Sequence, residues 1–228
     1  MMAWRLGWLL GARRLTHPLT LISGAGLLLL LLLLIALERQ VSVLAAADRV
    51  LFGPAFGLLL PLVGFLTLER LTERQRLDEA VAALARQGAD RRLALLGLFT
   101  AAAVALCLMG ALLGASGVML ARGVADPAMP ADAAVSAAIG AGGGIAYAAW
   151  FSLGSSFGAR GGGRVWALGL DWMFGIGSTA IAVPWPRAHI ASLIGASPVL
   201  GLPVISGWFL LFGLSALYLA LAIGRAPP

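Results

Sequence analysis

Asp171 is the one carboxylate set well inside a long apolar run, and a charge in that position asks for a partner. Holding it near the centre of a bilayer costs about 2.5–3.5 kcal/mol, so such residues pair, line a cavity or meet a cation. Arg164 stands about two helical turns earlier in the chain. One reading is an intramembrane ion pair between Asp171 and Arg164. The other is a pathway in which Asp171, beside Trp172, takes up a proton or contacts a cationic substrate. Nucleotide chemistry has no foothold. There is no Gly-x-x-x-x-Gly-Lys-Ser/Thr and no lysine at all, and Gly161–Gly163 is a short run within a turn. The single cysteine, Cys107, excludes a disulfide framework and a thiolate metal cluster. On this reading the chain carries no catalytic, cofactor-binding or metal-ligating residues.

The elements that must position these residues are membrane helices. Hydrophobic residues make up 61% and charged residues 11% of the 228, against about 25% charged in a soluble domain. Six apolar runs are predicted spans: residues 19–37, 50–68, 93–120, 133–157, 165–183 and 205–223. A span needs about 20 residues. The first holds the leucine run Leu27–Leu34, the second Pro54 and Pro61, and the fourth Gly140, Gly142, Gly143 and Gly144. Such small residues let helices approach closely. Residues 1–15, with Trp4, Trp8, Arg5, Arg13 and Arg14, are too short to span and read as an interfacial helix. A signal peptide would need a small-x-small cleavage site after the leucine run, where Glu38-Arg-Gln stands instead. Residues 184–198 read as an extracytoplasmic re-entrant or interfacial segment, with Trp185 and Trp208 as aromatic-belt anchors. The expected fold is therefore an all-α integral membrane protein, one domain with an N-terminal interfacial helix and six transmembrane helices.

All basic residues are arginines, and they are unevenly placed. With the N-terminus inside, Arg5, Arg13, Arg14, Arg70, Arg74, Arg76, Arg86, Arg91, Arg92, Arg160, Arg164 and Arg225 fall on the cytoplasmic side. Only Arg39, Arg49, Arg122 and Arg187 fall outside. By the positive-inside rule both termini are expected in the cytoplasm, and the formal charge of +6 reads as orientation, not nucleic-acid binding. The cytoplasmic stretch between the second and third spans reads as an amphipathic helix over 72–87. Thr72 and Gln75 form a capping box, Gly88 the C-terminal stop, and Asp90 the cap of the next span. Leu77, Ala80, Val81 and Leu84 share one face. Leu77, Val81 and Leu84 are the expected docking ridge, with Arg74, Arg76, Asp78 and Glu79 setting its register.

In this layout the chain resembles the permease subunits of type-2 ABC transporters, the exporter-like superfamily. The resemblance rests on the interfacial helix, six spans, the helix over 72–87 as a coupling helix, and the segment before the last span. The turn Ala149-Trp-Phe-Ser-Leu-Gly-Ser-Ser-Phe-Gly-Ala-Arg160 is similar to the family's fourth-to-fifth connection. The family's Glu-Arg-Glu…Gly-Thr-Leu run survives only as Leu68-Glu-Arg…Thr-Glu-Arg-Gln-Arg-Leu77. The resemblance implies a bacterial inner-membrane subunit that binds no cofactor itself. A cytoplasmic ABC ATPase would bind ATP and Mg²⁺, and a second permease chain would complete the pathway among membrane lipid. A membrane scaffold or accessory subunit docking a soluble partner is the alternative. A second, partial resemblance is to rhomboid intramembrane proteases: Gly114-Ala-Ser-Gly117 would supply Ser116 as nucleophile and Ala188-His-Ile-Ala-Ser-Leu-Ile-Gly195 His189 as its base. Ser192 and Ala196 stand where that family has glycines, and its oxyanion-supporting His and Asn have no counterpart.

Overall fold

The computed structural model describes residues 2–41, 46–122 and 126–226. Among these, all regular structure is helical. Helices α1 (Met2–Leu15), α2 (Pro18–Val41) and α3 (Ala46–Val50) are followed by a π-helical segment, Leu51–Leu59, that continues into α4 (Leu60–Thr72). Then come α5 (Ala82–Arg86), α6 (Arg91–Arg122), α7 (Met129–Ser155), α8 (Gly163–Phe174), α9 (Pro186–Leu193) and α10 (Ser206–Gly224). Among the described residues, five stretches are long and apolar enough to cross a membrane: Ile22–Gln40, Ala46–Thr72, Arg91–Arg122, Met129–Ser155 and Ser206–Gly224. This is an all-α membrane protein. The wide π turns surround Pro54, which has no N–H to donate and whose ring crowds the preceding turn. Widening the helix, with Leu60 N–H bonded to the Ala55 carbonyl, keeps it continuous.

The centre of the bundle is the antiparallel pair α6–α7, and glycine makes it. A Cβ on Gly110 would lie 2.0 Å from the Gly140 carbonyl oxygen, and one on Gly144 would lie 2.1 Å from that of Leu106. The two backbones touch directly, as expected for small residues in membrane helices. Helix α10 runs parallel to α7: Trp208 lies on Gly142, Tyr218 on Trp150, and the Arg225 guanidinium 4.0 Å over the Phe157 ring. Helix α1 crosses the start of α6, its Trp4 carbonyl against Gly97. The first helix and the end of α10 therefore sit at the same end of the bundle, with the arginine-rich stretch after α4. We call this the basic end.

Two expectations are corrected. The run 165–183 is not one spanning helix. Helix α8 stops at Phe174 after 12 residues, about 18 Å of rise, where Gly175-Ile-Gly-Ser-Thr breaks it and Gly177 adopts a φ of 145° open to glycine. The chain continues irregularly to Ser178, whose carbonyl accepts from Leu200 N–H at 2.7 Å. It then dips back until Trp185 meets Trp150, and α9 carries it out again past Gly143. The irregular path thus begins at Gly175, before residue 184. Trp185 and Trp208 are accordingly not belt anchors: Trp185 sits edge-on to Trp150 at 5.4 Å and stacked on Phe174 at 5.9 Å, and Trp208 packs at mid-length of α7.

The second correction concerns 72–87, which is not one helix. Thr72 ends α4 and donates its hydroxyl to the Leu68 carbonyl at 2.8 Å instead of opening a new helix. Glu73 and Arg74 follow with left-handed φ of 51° and 60°. A turn, a 3₁₀ segment at Glu79–Val81 and the short α5 complete the stretch. The reach-back expected of Gln75 is made by Glu79, whose carboxylate accepts from Arg76 N–H at 3.1 Å. Gly88 does close α5 with a φ of 86°, and Asp90 caps α6 through Leu93 N–H at 2.8 Å.

Candidate functional site

The basic end is a clamp built around the segment between α4 and α6. Leu77 and Val81 are buried in the main core, with Leu84 packed against it. The apolar ridge expected to meet a partner therefore faces inward, because burying it against α4 and α6 removes more apolar surface from water than exposing it would. What points outward is polar: Glu73, Arg74, Gln75, Glu79, Arg86 and Gln87 are exposed. Three of the register residues pair locally, Arg76 with Asp78 at 3.3 Å and Arg74 with Glu69 at 2.8 Å.

This segment is tied to the rest of the protein by main-chain and arginine contacts. Leu77 N–H donates to the Ser155 carbonyl, the last residue of α7, at 3.0 Å. Arg14 of α1 donates to the Leu71 carbonyl and pairs with Glu73 at 2.9 Å. Arg164 of α8 is 4% exposed. It donates to the Thr72 hydroxyl and to the Arg160 carbonyl, the latter at 3.2 Å. One buried guanidinium thus joins the end of α4 to the start of α8, its five N–H groups suited to several acceptors at once.

Asp171 and Arg164 lie on the same helix but are not partners. Asp171, with no exposed surface, accepts from the Tyr147 hydroxyl at 2.8 Å and from Arg187 N–H at 3.3 Å. Its carboxylate sits at the first turn of α9, where free N–H groups and the helix dipole favour a negative charge. The buried carboxylate is a tertiary cap for α9. Trp172 keeps an indole N–H buried without a partner, and its carbonyl lies 3.5 Å from the Arg187 guanidinium. Around this node the aromatic rings of Trp150, Trp185 and Tyr218 pack together, and the Tyr218 hydroxyl donates to the Pro184 carbonyl. Asp171, Tyr147 and Arg187 together fasten α7, α8 and α9.

Ser116 and His189 are each engaged elsewhere. The Ser116 hydroxyl donates to the Leu112 carbonyl at 2.6 Å within its own helix. His189 Nε2 lies 2.7 Å from the Val183 carbonyl, which only accepts, so Nε2 carries the proton. Its Nδ1 is buried with no partner. No hydrogen bond joins the two side chains, and Gly114 and Gly117 serve contacts with Ser136 and with Val50 and Leu51. Sequence reasoning passed over Thr72 as an arginine acceptor, Tyr147 and Arg187. Tyr147 had a signal: a lone phenol inside a glycine-rich span needs an acceptor once buried. The chain matches no family model, no curated protein and no solved structure.

Proposed function

We propose that this chain is the membrane-spanning permease subunit of an ATP-driven transporter of the type-2 ABC kind, moved by a separate cytoplasmic ATPase that docks on the basic end. The reading is supported chiefly by one observation: the segment after α4 is wedged against three elements through Leu77, Arg14 and Arg164. A displacement there is delivered to α4 and α8 together, and α8 carries Asp171, which caps the re-entrant α9. Such a linkage suits alternating access, provided the ATPase binds two arrangements of the segment with different affinity. The docking surface in this reading is the outward polar face of Arg74, Glu79 and Arg86, with the apolar ridge holding that face in place. A second copy of the chain or a related one completes the pathway, and the basic end faces the cytoplasm.

A mild-detergent pull-down from the native membrane tests this directly. Recovery of a P-loop ATPase, lost with Arg74→Glu/Arg86→Glu while the protein still folds, is the expected result. Recovery of soluble proteins that hydrolyse no ATP overturns the transporter reading in favour of a scaffold.

A further inference from the structure

Helix α2 stands away from the bundle: among its described side chains only Leu31 and Ile35 are buried, and Gly24 faces open space. The gap it leaves against α4 and α6 is a slot of about 380 Å³ walled by Leu27, Leu28, Val63 and Met109. At the basic end the slot meets a polar cavity of about 490 Å³ lined by Arg14, His17, Glu69, Glu73 and Arg74. Leu66 and Arg70 belong to both. An apolar slot inside the hydrocarbon layer does not stay empty, and the apolar molecules at hand are acyl chains. From Val63 to Arg70 the slot runs about 10 Å along α4, the depth of an upper chain segment beneath a headgroup.

The charges at the mouth select the headgroup. Glu73 is neutralised by Arg14 at 2.9 Å and Glu69 by Arg74 at 2.8 Å. Arg70, exposed at the junction of the two cavities, takes part in no ion pair among the described residues. From this juxtaposition we propose that the α1–α2–α4 corner is a binding site for one anionic glycerophospholipid, its phosphate on Arg70 and one acyl chain in the slot. The site does not rest on the transport reading: it uses neither Glu79 and Arg86 of the docking face nor the Asp171 node, and shares with that face only Arg74, which neutralises Glu69. A bound lipid would supply contacts that α2 does not make with protein.

Native mass spectrometry of the full chain in a neutral detergent tests the site, with phosphatidylglycerol or phosphatidylcholine of matched acyl chains added. One phosphatidylglycerol retained in about fivefold preference is expected, the worth of one interfacial arginine. Arg70→Gln should bring retention down to the phosphatidylcholine level. Leu66→Trp, or Gly24→Leu on the opposite wall, should abolish retention of both lipids; both positions are open enough to accept the larger side chain. Equal retention of the two lipids by the wild type would overturn the proposal, as would an unchanged preference in Arg70→Gln. Displacement by glycerol phosphate alone would show a phosphate site without a chain in the slot, and retention in both slot-filling variants would say the same.

Discussion

Replacing Tyr147 with Phe removes one oxygen from the centre of the protein and leaves one lobe of a buried carboxylate without its donor. Tyr147 and Asp171 both have no exposed surface, and the hydroxyl lies 2.8 Å from Oδ2. A hydrogen bond to a charged group is worth about 1.5–3 kcal/mol, so Tyr147→Phe should cost roughly 2 kcal/mol. Asp171→Ala should cost more, about 3–5 kcal/mol, because it strands both the phenol and the Arg187 N–H and takes the charge from the first turn of α9. Asp171→Asn separates capping from charge. Its carbonyl oxygen can take the Arg187 N–H while its amide donates to the phenol oxygen, so the loss should stay near about 1 kcal/mol. Thermal unfolding of the detergent-solubilised chain reads these differences, at about 2–4 °C per kcal/mol for a chain of this size. The order expected is wild type, Asp171→Asn, Tyr147→Phe, Asp171→Ala. The capping account fails if Tyr147→Phe melts with the wild type, or if Asp171→Asn is as damaging as Asp171→Ala. A variant that melts normally but no longer supports transport would instead give the carboxylate a place on the pathway.

Three further outcomes follow from the same structure. Gly140→Ala sets a methyl 2.0 Å from the Gly110 carbonyl oxygen and should cost about 3 kcal/mol or more, whereas Gly213→Ala, facing open space, should leave the melting temperature within a degree or two; equal effects would mean the α6–α7 backbones are not in contact. Leu77→Asp buries an unpaired carboxylate at a position 3% exposed and should abolish folding, while Arg86→Glu should leave the melt unchanged; a well-folded Leu77→Asp protein would return the ridge to the surface. In a Cys107→Ser background, Gln87→Cys should label from one face alone and Ser197→Cys from the opposite face alone. Labelling of both from one side would show that α8 and the chain beyond it never reach the far end.

The long helices were legible because membrane burial is written in composition: a run of some twenty apolar residues has few alternatives to a spanning helix. Local end signals were legible for a similar reason. Asp90 and Gly88 act within a turn of their own positions, and the structure uses both as the residue types require. Helical periodicity at Leu77, Val81 and Leu84 correctly marked an apolar face, but periodicity does not say what covers it, and the bundle itself does. The apolar run 165–183 misled in the same way. Hydropathy integrates over the whole run, whereas the helix ends where Gly175 and Gly177 let the backbone turn and where the Arg187 guanidinium reaches the Trp172 carbonyl.

The amino-acid sequence by itself determined that this is an all-α membrane protein, five of its six apolar runs as helices long enough to cross, and where the arginines gather. Tertiary structure alone decided which charges meet. Asp171 and Arg164 are two turns apart on one helix, yet one caps α9 beneath Tyr147 and the other holds the end of α4. A buried charge takes whichever donors or acceptors the fold brings within about 3 Å, and partners from other helices arrive only after the helices have packed.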